Sequence, residues 1–341
     1  MTISQAYTHA SPGALKIEYI PASQVGDLDR DPRVLAGFRF GRDCVAVPME
    51  SDRLQLLGLG FPQLGHEPQV EVWRTDSDVR YRLEHGFALA ECDDLLVGWT
   101  VQDADDEVLR QNGEDIYRRV GEILKRAGFP YLQRMWNYLP RINQLDHDGL
   151  ERYRSFCFGR HEGMFGFLPG PGELPAASGV GVLHGELSVY FIAARAPGIQ
   201  IENPRQVSAY CYPSRYGPRS PSFARATVVG NGGNQGIFIS GTASIVGHES
   251  LHENDLSEQV DETLRNIEAL LASARKKCPG IGAPGAPDLD QLKVYIRNPR
   301  DVAVVAKQLE HWAPGVPLIL LQGDICRAEL LVEIESSFGF A

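Results

Sequence analysis

Two apolar stripes set the strongest limit on how this 341-residue chain can fold. Ile116, Val120, Ile123 and Ala127 fall at i, i+4, i+7 and i+11, and so do Val260, Leu264, Ile267 and Leu271. That spacing lines one face of an α-helix and has to be covered by other apolar groups. Each stripe follows a series of short strand-like segments, at 15–20, 34–40, 44–47, 69–73, 79–83, 87–90 and 95–101 before the first, and at 187–194, 225–229 and 237–241 before the second. The last two read as a hairpin around Asn231-Gly232-Gly233. Gly128 and Pro130 end the first helix, whereas Asp255 caps the second, which ends near Lys276 and Lys277, where cations suit the helix dipole. A strand and a second helix come next in both halves: 131–139 with 149–158, and 292–296 with 300–311 ahead of a strand at 318–321. The twofold order of sheet, helix, strand, helix predicts an α+β fold with helices on one face of each sheet. The Pro- and Gly-rich run 168–181 reads as the connection, dividing the chain into 1–180 and 181–341.

At 43% hydrophobic content the chain can bury a large core. Its formal net charge of -11 argues against a general nucleic-acid surface, which needs clustered Lys and Arg. No apolar run approaches the roughly 20 residues of a membrane span, and Met1 to Tyr7 lack a basic region followed by an apolar one. A cytoplasmic location is expected. The six cysteines stand singly, without a CxxC pair, so reduced thiols are expected rather than a zinc knuckle or a disulfide framework.

Candidate chemistry begins at the C-terminus, where alternation from Leu331 to Glu335 puts Glu333 and Glu335 on one strand face and Val332 and Ile334 on the other. Taken alone, this segment favours a solvated sheet face. The alternative is a carboxylate lining a pocket as acid or base, with Cys326 and arginines supplied from elsewhere. His248 and His252 stand four apart but precede the second striped helix, with no further ligand cluster in sequence, so no metal site is expected. Gly170-Pro171-Gly172 and Asn231-Gly232-Gly233 lack the Lys-Ser/Thr of a phosphate loop and read as turns. The segment 210–225 packs three tyrosines, three arginines and three prolines into sixteen residues. Such a stiff loop can grip carboxylates through its guanidiniums, or it can be a surface loop with solvated arginines. Tyr153 and Arg160, seven apart, share a helix face if the helix persists, as many surface pairs do.

Trp136-Asn137-Tyr138, the segments 153–160, 190–195 and 202–204, Tyr216-Gly217-Pro218-Arg219, 223–226, 238–243, 292–297 and Leu331-Val332-Glu333-Ile334-Glu335 together resemble the chorismatase family, in register over roughly residues 130 to 341. The resemblance implies a RidA-like C-terminal half, and hence two RidA-like sheet-plus-helix halves as a pseudo-repeat. It also implies cleavage of chorismate to pyruvate and a ring product, with Glu333 as the acid/base residue. A carboxylic acid kept protonated by burial can protonate the methylene of the enolpyruvyl ether, which makes the ether bond labile. The same resemblance implies that Arg160, Arg219 and Arg225 receive the two substrate carboxylates, with Tyr153, Tyr212 and Tyr216 as hydrogen-bonding partners.

Family members that only hydrolyse the ether tend to carry methyl-bearing residues where this chain has Gly241 and Cys326. The Gly and Cys pair is similar to members that release a hydroxybenzoate, so the expected products are pyruvate and 3-hydroxybenzoate, with room for some 4-hydroxybenzoate. A thiol at Cys326 would open a transient ring oxide or guide the proton losses that aromatise the ring. Neither metal nor organic cofactor is expected, because positioned acids and cations suffice for protonation and elimination. The competing readings are a hydrolytic chorismatase giving a dihydroxycyclohexadienoate, a RidA-type imine deaminase, and a non-catalytic binder of aromatic acids. A pseudo-repeated chain of a usually trimeric fold would be self-sufficient as a monomer.

Overall fold

The first apolar stripe forms α1 (Leu109–Ala127) and the second forms α3 (Leu256–Lys277). Gly128 ends α1 in the left-handed conformation at φ 76°, and the Asp255 side chain accepts the Glu258 N–H at the start of α3. The computed structural model describes residues 15–42, 54–65, 67–168, 170, 173–231 and 234–340. The strand expected at 44–47, the end of the Gly-Pro-Gly run and Gly232-Gly233 lie outside the described residues.

Three sheets carry the fold. A four-stranded sheet has the order β1 (Leu15–Pro21), β4 (Gln69–Thr75), β2 (Val34–Phe40), β3 (Leu56–Leu59). A seven-stranded sheet contains β5 (Arg80–Glu84), β6 (Phe87–Glu91), β7 (Leu95–Gln102), β8 (Tyr131–Pro140), β9 (Ala176–Val182), β10 (Leu187–Ala194) and β18 (Asp324–Ile325). A six-stranded sheet contains β11 (Ile199–Ile201), β12 (Ala226–Asn231), β13 (Asn234–Thr242), β16 (Gln291–Ile296), β17 (Leu318–Gln322) and β19 (Val332–Phe338). A short ribbon joins β14 (Ile245–Val246) to β15 (Glu249–Ser250).

The pseudo-repeat is visible in strand order. The seven-stranded sheet runs β5-β6-β7-β10-β8-β9 before β18 closes its edge, and the six-stranded sheet runs β11-β12-β13-β19-β16-β17. Corresponding pairs also agree in sense: β8 with β9 and β16 with β17 are parallel, while β10 with β8 and β19 with β16 are antiparallel. Helices α1 and α2 (Arg152–Met164) bury one face of the first sheet, and α3 and α4 (Val302–Trp312) bury one face of the second. The opposite faces meet the four-stranded sheet in a shared core that includes Phe38, Trp73, Trp136, Tyr190, Phe238 and Tyr295.

Two expectations from sequence change. Helix α2 extends to Met164 rather than stopping near Gly159, because Gly159 and Gly163 are where it presses on α1. A Cβ at these positions would come within 2.0 Å of Arg110 O and 2.3 Å of Glu114 O. The supposed connection 168–181 becomes strand β9 from Ala176 onward. Its small residues fit close neighbours, since a Cβ on Gly179 would meet the Tyr153 ring at 2.8 Å and one on Gly181 would meet Ile142 at 2.6 Å. A division at 180/181 would fall within β9. Among the described residues, no helix is long and apolar enough to cross a membrane.

Candidate active site

The alternation read at the C-terminus holds in β19, with Val332 and Ile334 in the core beneath α3 and α4. Glu333 and Glu335 point the other way, but not to solvent, as each is 4% exposed. The solvated face favoured by the segment alone is thus overturned. A second sheet covers this face, which no local pattern reveals.

Glu335 is held by three donors. Trp136 Nε1 donates to its Oε2 at 2.8 Å, Tyr295 donates its hydroxyl to Oε1 at 3.2 Å, and Arg134 Nη2 lies 3.4 Å from Oε2. Glu333 sits deeper in the chemistry. Its pKa is pushed up from 4.5 to about 8, chiefly by burial and then by the charge of Glu335, against the opposing pull of Arg134 and Arg225. It is a buried carboxylic acid able to hold a proton at neutral pH.

Backbone geometry makes room for it. The β13–β19 register shifts between Ile239 and Thr242, a bulge that places Gly241 against the acid. A Cβ on Gly241 would stand 1.9 Å from Glu333 Oε1, so only glycine admits the carboxyl in this position. Cys326, ahead of β19, is half-buried and packs against both neighbouring cores. Burial and the charge of Glu333 push its thiol pKa well up, which keeps it a thiol rather than a thiolate.

Two buried cations, Arg134 and Arg225, bear on this acid, and a third, Arg160, lies on α2. Arg225, just before β12, donates from Nη2 to the Tyr212 hydroxyl at 2.6 Å and to Val207 O at 3.0 Å. Arg160 is 1% exposed in α2, on the same helix as Tyr153, which is also buried. Among the described residues, Arg160 Nε and Nη2 and Arg225 Nε are buried with no hydrogen-bond partner. Leaving such charged donors unpaired is costly, so each arginine has capacity for an anion.

The expected residues do not all converge. Glu333, Gly241 and Arg225 come together from the second half. Tyr153 links Arg160 and Cys326, each of which bears on its hydroxyl. Tyr212 joins through Arg225, whereas Tyr216 packs tilted against Tyr212 with ring centroids 5.3 Å apart and lies beneath the Arg327 guanidinium at 4.2 Å, nearer the surface. Arg219 stands apart: it is exposed, paired with Glu162 at 3.0 Å, and lines an outer cavity of about 800 Å³ with Phe167, Leu174 and Tyr210. The histidines are engaged separately, with Arg215 Nη2 2.9 Å from His248 Nδ1 and His252 Nε2 3.6 Å from Glu262.

Arg134, Ser178 and Arg327 escaped the sequence reading. A signal did exist for Arg134, because alternation in β8 puts it on one face with Trp136 and Tyr138, a charge inside an apolar strand. Ser178 lay in the run taken for a loop.

The chain matches the family model "Chorismatase FkbO/Hyg5-like, N-terminal" over residues 71–193. It is 38% identical over 290 residues to a 3-hydroxybenzoate synthase of Streptomyces hygroscopicus, covering 81% of this chain and 85% of that one. It is also 36% identical over 274 residues to a chorismatase of Streptomyces rapamycinicus, covering 79% and 82%. Its structure is similar to a chorismatase crystal structure with a TM-score of 0.87 at 31% identity, covering 96% of this chain and 98% of the other. With that identity sustained across most of both sequences and the same fold throughout, the chain belongs to the chorismatase family.

Proposed function

We propose that this enzyme cleaves chorismate to pyruvate and 3-hydroxybenzoate, with some 4-hydroxybenzoate alongside. The observation that carries this reading is a buried carboxylic acid, Glu333, whose pKa of about 8 keeps it protonated, with Arg225 bearing on it and unpartnered donors on Arg225 and on the buried Arg160. Chorismate supplies what each of these requires: an acid-labile enol ether and two carboxylates.

Glu333 gives its proton to the enolpyruvyl methylene, which becomes the methyl group of pyruvate, and positive charge develops on the ether carbon and oxygen. Arg160 and Arg225 receive the carboxylates through their free N–H groups, with Tyr153 and Tyr212 bordering them. The neighbouring ring hydroxyl gives its proton to the Glu333 carboxylate and displaces the ether oxygen, which leaves as the keto oxygen of pyruvate. One C–O bond of the resulting oxide then opens, its oxygen takes up a proton and the carbon that keeps the oxygen loses one, which gives the hydroxybenzoate with no water consumed. The hydrolytic outcome instead takes up one water and leaves the ring non-aromatic. Cys326 acts as a neutral thiol at the ring, while Tyr216 and Arg219 serve the approach rather than the reacting centre.

Residues of both halves line the same cluster, so one chain supplies a complete site, and we infer a cytoplasmic monomer. Light scattering on the purified protein tests this, and a trimer mass would contradict it.

The deciding experiment is incubation with chorismate and chromatography of the products. A hydroxybenzoate with equimolar pyruvate is expected, and a diol as main product would refute the aromatic assignment. Glu333→Gln should lower kcat by 10²-fold or more, roughly the share of a positioned acid, with binding retained. Gly241→Ala should displace the Glu333 carboxyl, lowering kcat and moving product toward the diol; unchanged kcat and products would remove Gly241 from the site.

A further inference from the structure

Ser178, on β9, stands between the acid and the buried arginine of β8. Its Oγ accepts Arg134 Nη2–H at 2.6 Å and the Gly241 N–H at 2.8 Å. A hydroxyl has two lone pairs and one proton, so these donors fill its accepting capacity and leave its proton to be given. The space that a Cβ on Gly241 would occupy is bounded by Glu333 Oε1 at 1.9 Å and by Ser178 Oγ at 3.1 Å. The acid and the hydroxyl thus border the same small gap, and Ser178 is 3% exposed.

We propose that Ser178 is a positioning residue for Glu333: the two are not bonded in this structure, and a small turn of the carboxyl across the Gly241 gap lets Oγ–H donate to Oε1, so that Oε2 is the oxygen carrying the acidic proton toward the substrate. The inference rests on the reading of Glu333 as proton donor and deepens it. Arg134 donates to Ser178 and lies against Glu335, and through the hydroxyl it polarises the hydrogen bond that Oε1 receives. After the proton has left, the same bond stabilises the carboxylate. The oxygen that delivers the proton is thereby fixed, which a freely rotating carboxyl would not ensure. The charged and titratable groups that bear on Glu333 are Glu335 on its own strand, Arg134 on β8, Arg225 before β12 and Cys326 before β19. Ser178→Ala removes none of these charges but frees Arg134 Nη2; a closer Arg134 would lower the Glu333 pKa, whereas loss of the hydroxyl raises it, so the direction of the change reports the hydroxyl.

The test is the pH dependence of kcat/KM for chorismate in Ser178→Ala and Ser178→Thr, beside Glu333→Gln. A donated hydrogen bond favours the carboxylate form, so its loss should raise the alkaline limb by about one pH unit. In Ser178→Ala, kcat at neutral pH should fall about tenfold with KM little changed, and Ser178→Thr, which keeps a hydroxyl, should restore the limb. Reduced activity with an unmoved limb overturns the proposal. Persistent turnover in Glu333→Gln overturns instead the reading on which it rests, so the two failures are distinct. If Ser178→Ala folds poorly, the infrared carbonyl stretch of protonated Glu333 in the native enzyme decides, assigned by its absence in Glu333→Gln. A hydrogen-bonded frequency supports the proposal, and that of a free acid rules it out.

Discussion

At Glu333, burial and the neighbouring Glu335 act against Arg134 and Arg225, and burial prevails. The consequence reaches stability as well as catalysis. With the folded pKa raised from 4.5 to about 8, the folded chain keeps a proton that the unfolded chain releases between those values. The contribution is therefore whole below the ordinary carboxyl range and is lost as pH rises through about 8. Glu333→Gln should be more stable than the native protein at pH 9 by a few kcal/mol, on the order expected from linkage, with the advantage gone near pH 4. Thermal melts at the two pH values measure it; an equal difference at both would mean that the carboxyl titrates normally. Residue identity at this position was legible in the sequence only through family resemblance. Alternation placed Glu333 and Glu335 on one face, but whether that face met water depended on strands nearly 200 residues away, such as the one carrying Trp136.

Among elements, β4 and β16 are joined across the interior by a buried ion pair, Lys293 Nζ to Glu71 Oε2 at 2.7 Å. Trp73 Nε1 also donates to Glu71 Oε1 at 2.8 Å, and Lys293 reaches the Tyr190 hydroxyl at 3.3 Å. Removing one partner leaves the other charged and dry, so Lys293→Met should cost about 3–5 kcal/mol. Glu71→Gln with Lys293→Met should recover most of that loss. Urea unfolding of the two singles and the double closes the cycle, and additive losses would show that the pair is not coupled. The helices were legible because a 3.6-residue stripe needs only its own segment. Strand β9 was not, because Ala176, Ala177 and Gly179 are small for the sake of neighbours on α2 and β8, and local composition resembles a loop. Gly159 misled in the same way, since helix packing rather than chain termination requires it.

For the whole molecule, one interior core draws residues from all three sheets, so neither half is closed without the others. Unfolding followed by calorimetry should show a single transition, with calorimetric and van't Hoff enthalpies in agreement. Two resolved transitions would mean that the halves are separate folding units. The sequence by itself determined the α+β class, the twofold order of sheet and helix, the two helical faces and the shared strand face of Val332 and Ile334, all of which are periodicities written within single segments. Only the tertiary structure decided that the opposite face of β19 is dry and that Arg134 and Ser178 stand behind Glu333 while Arg219 lies outside. Those features arise where distant strands meet, and burial is what turns an ordinary glutamate into an acid that keeps its proton.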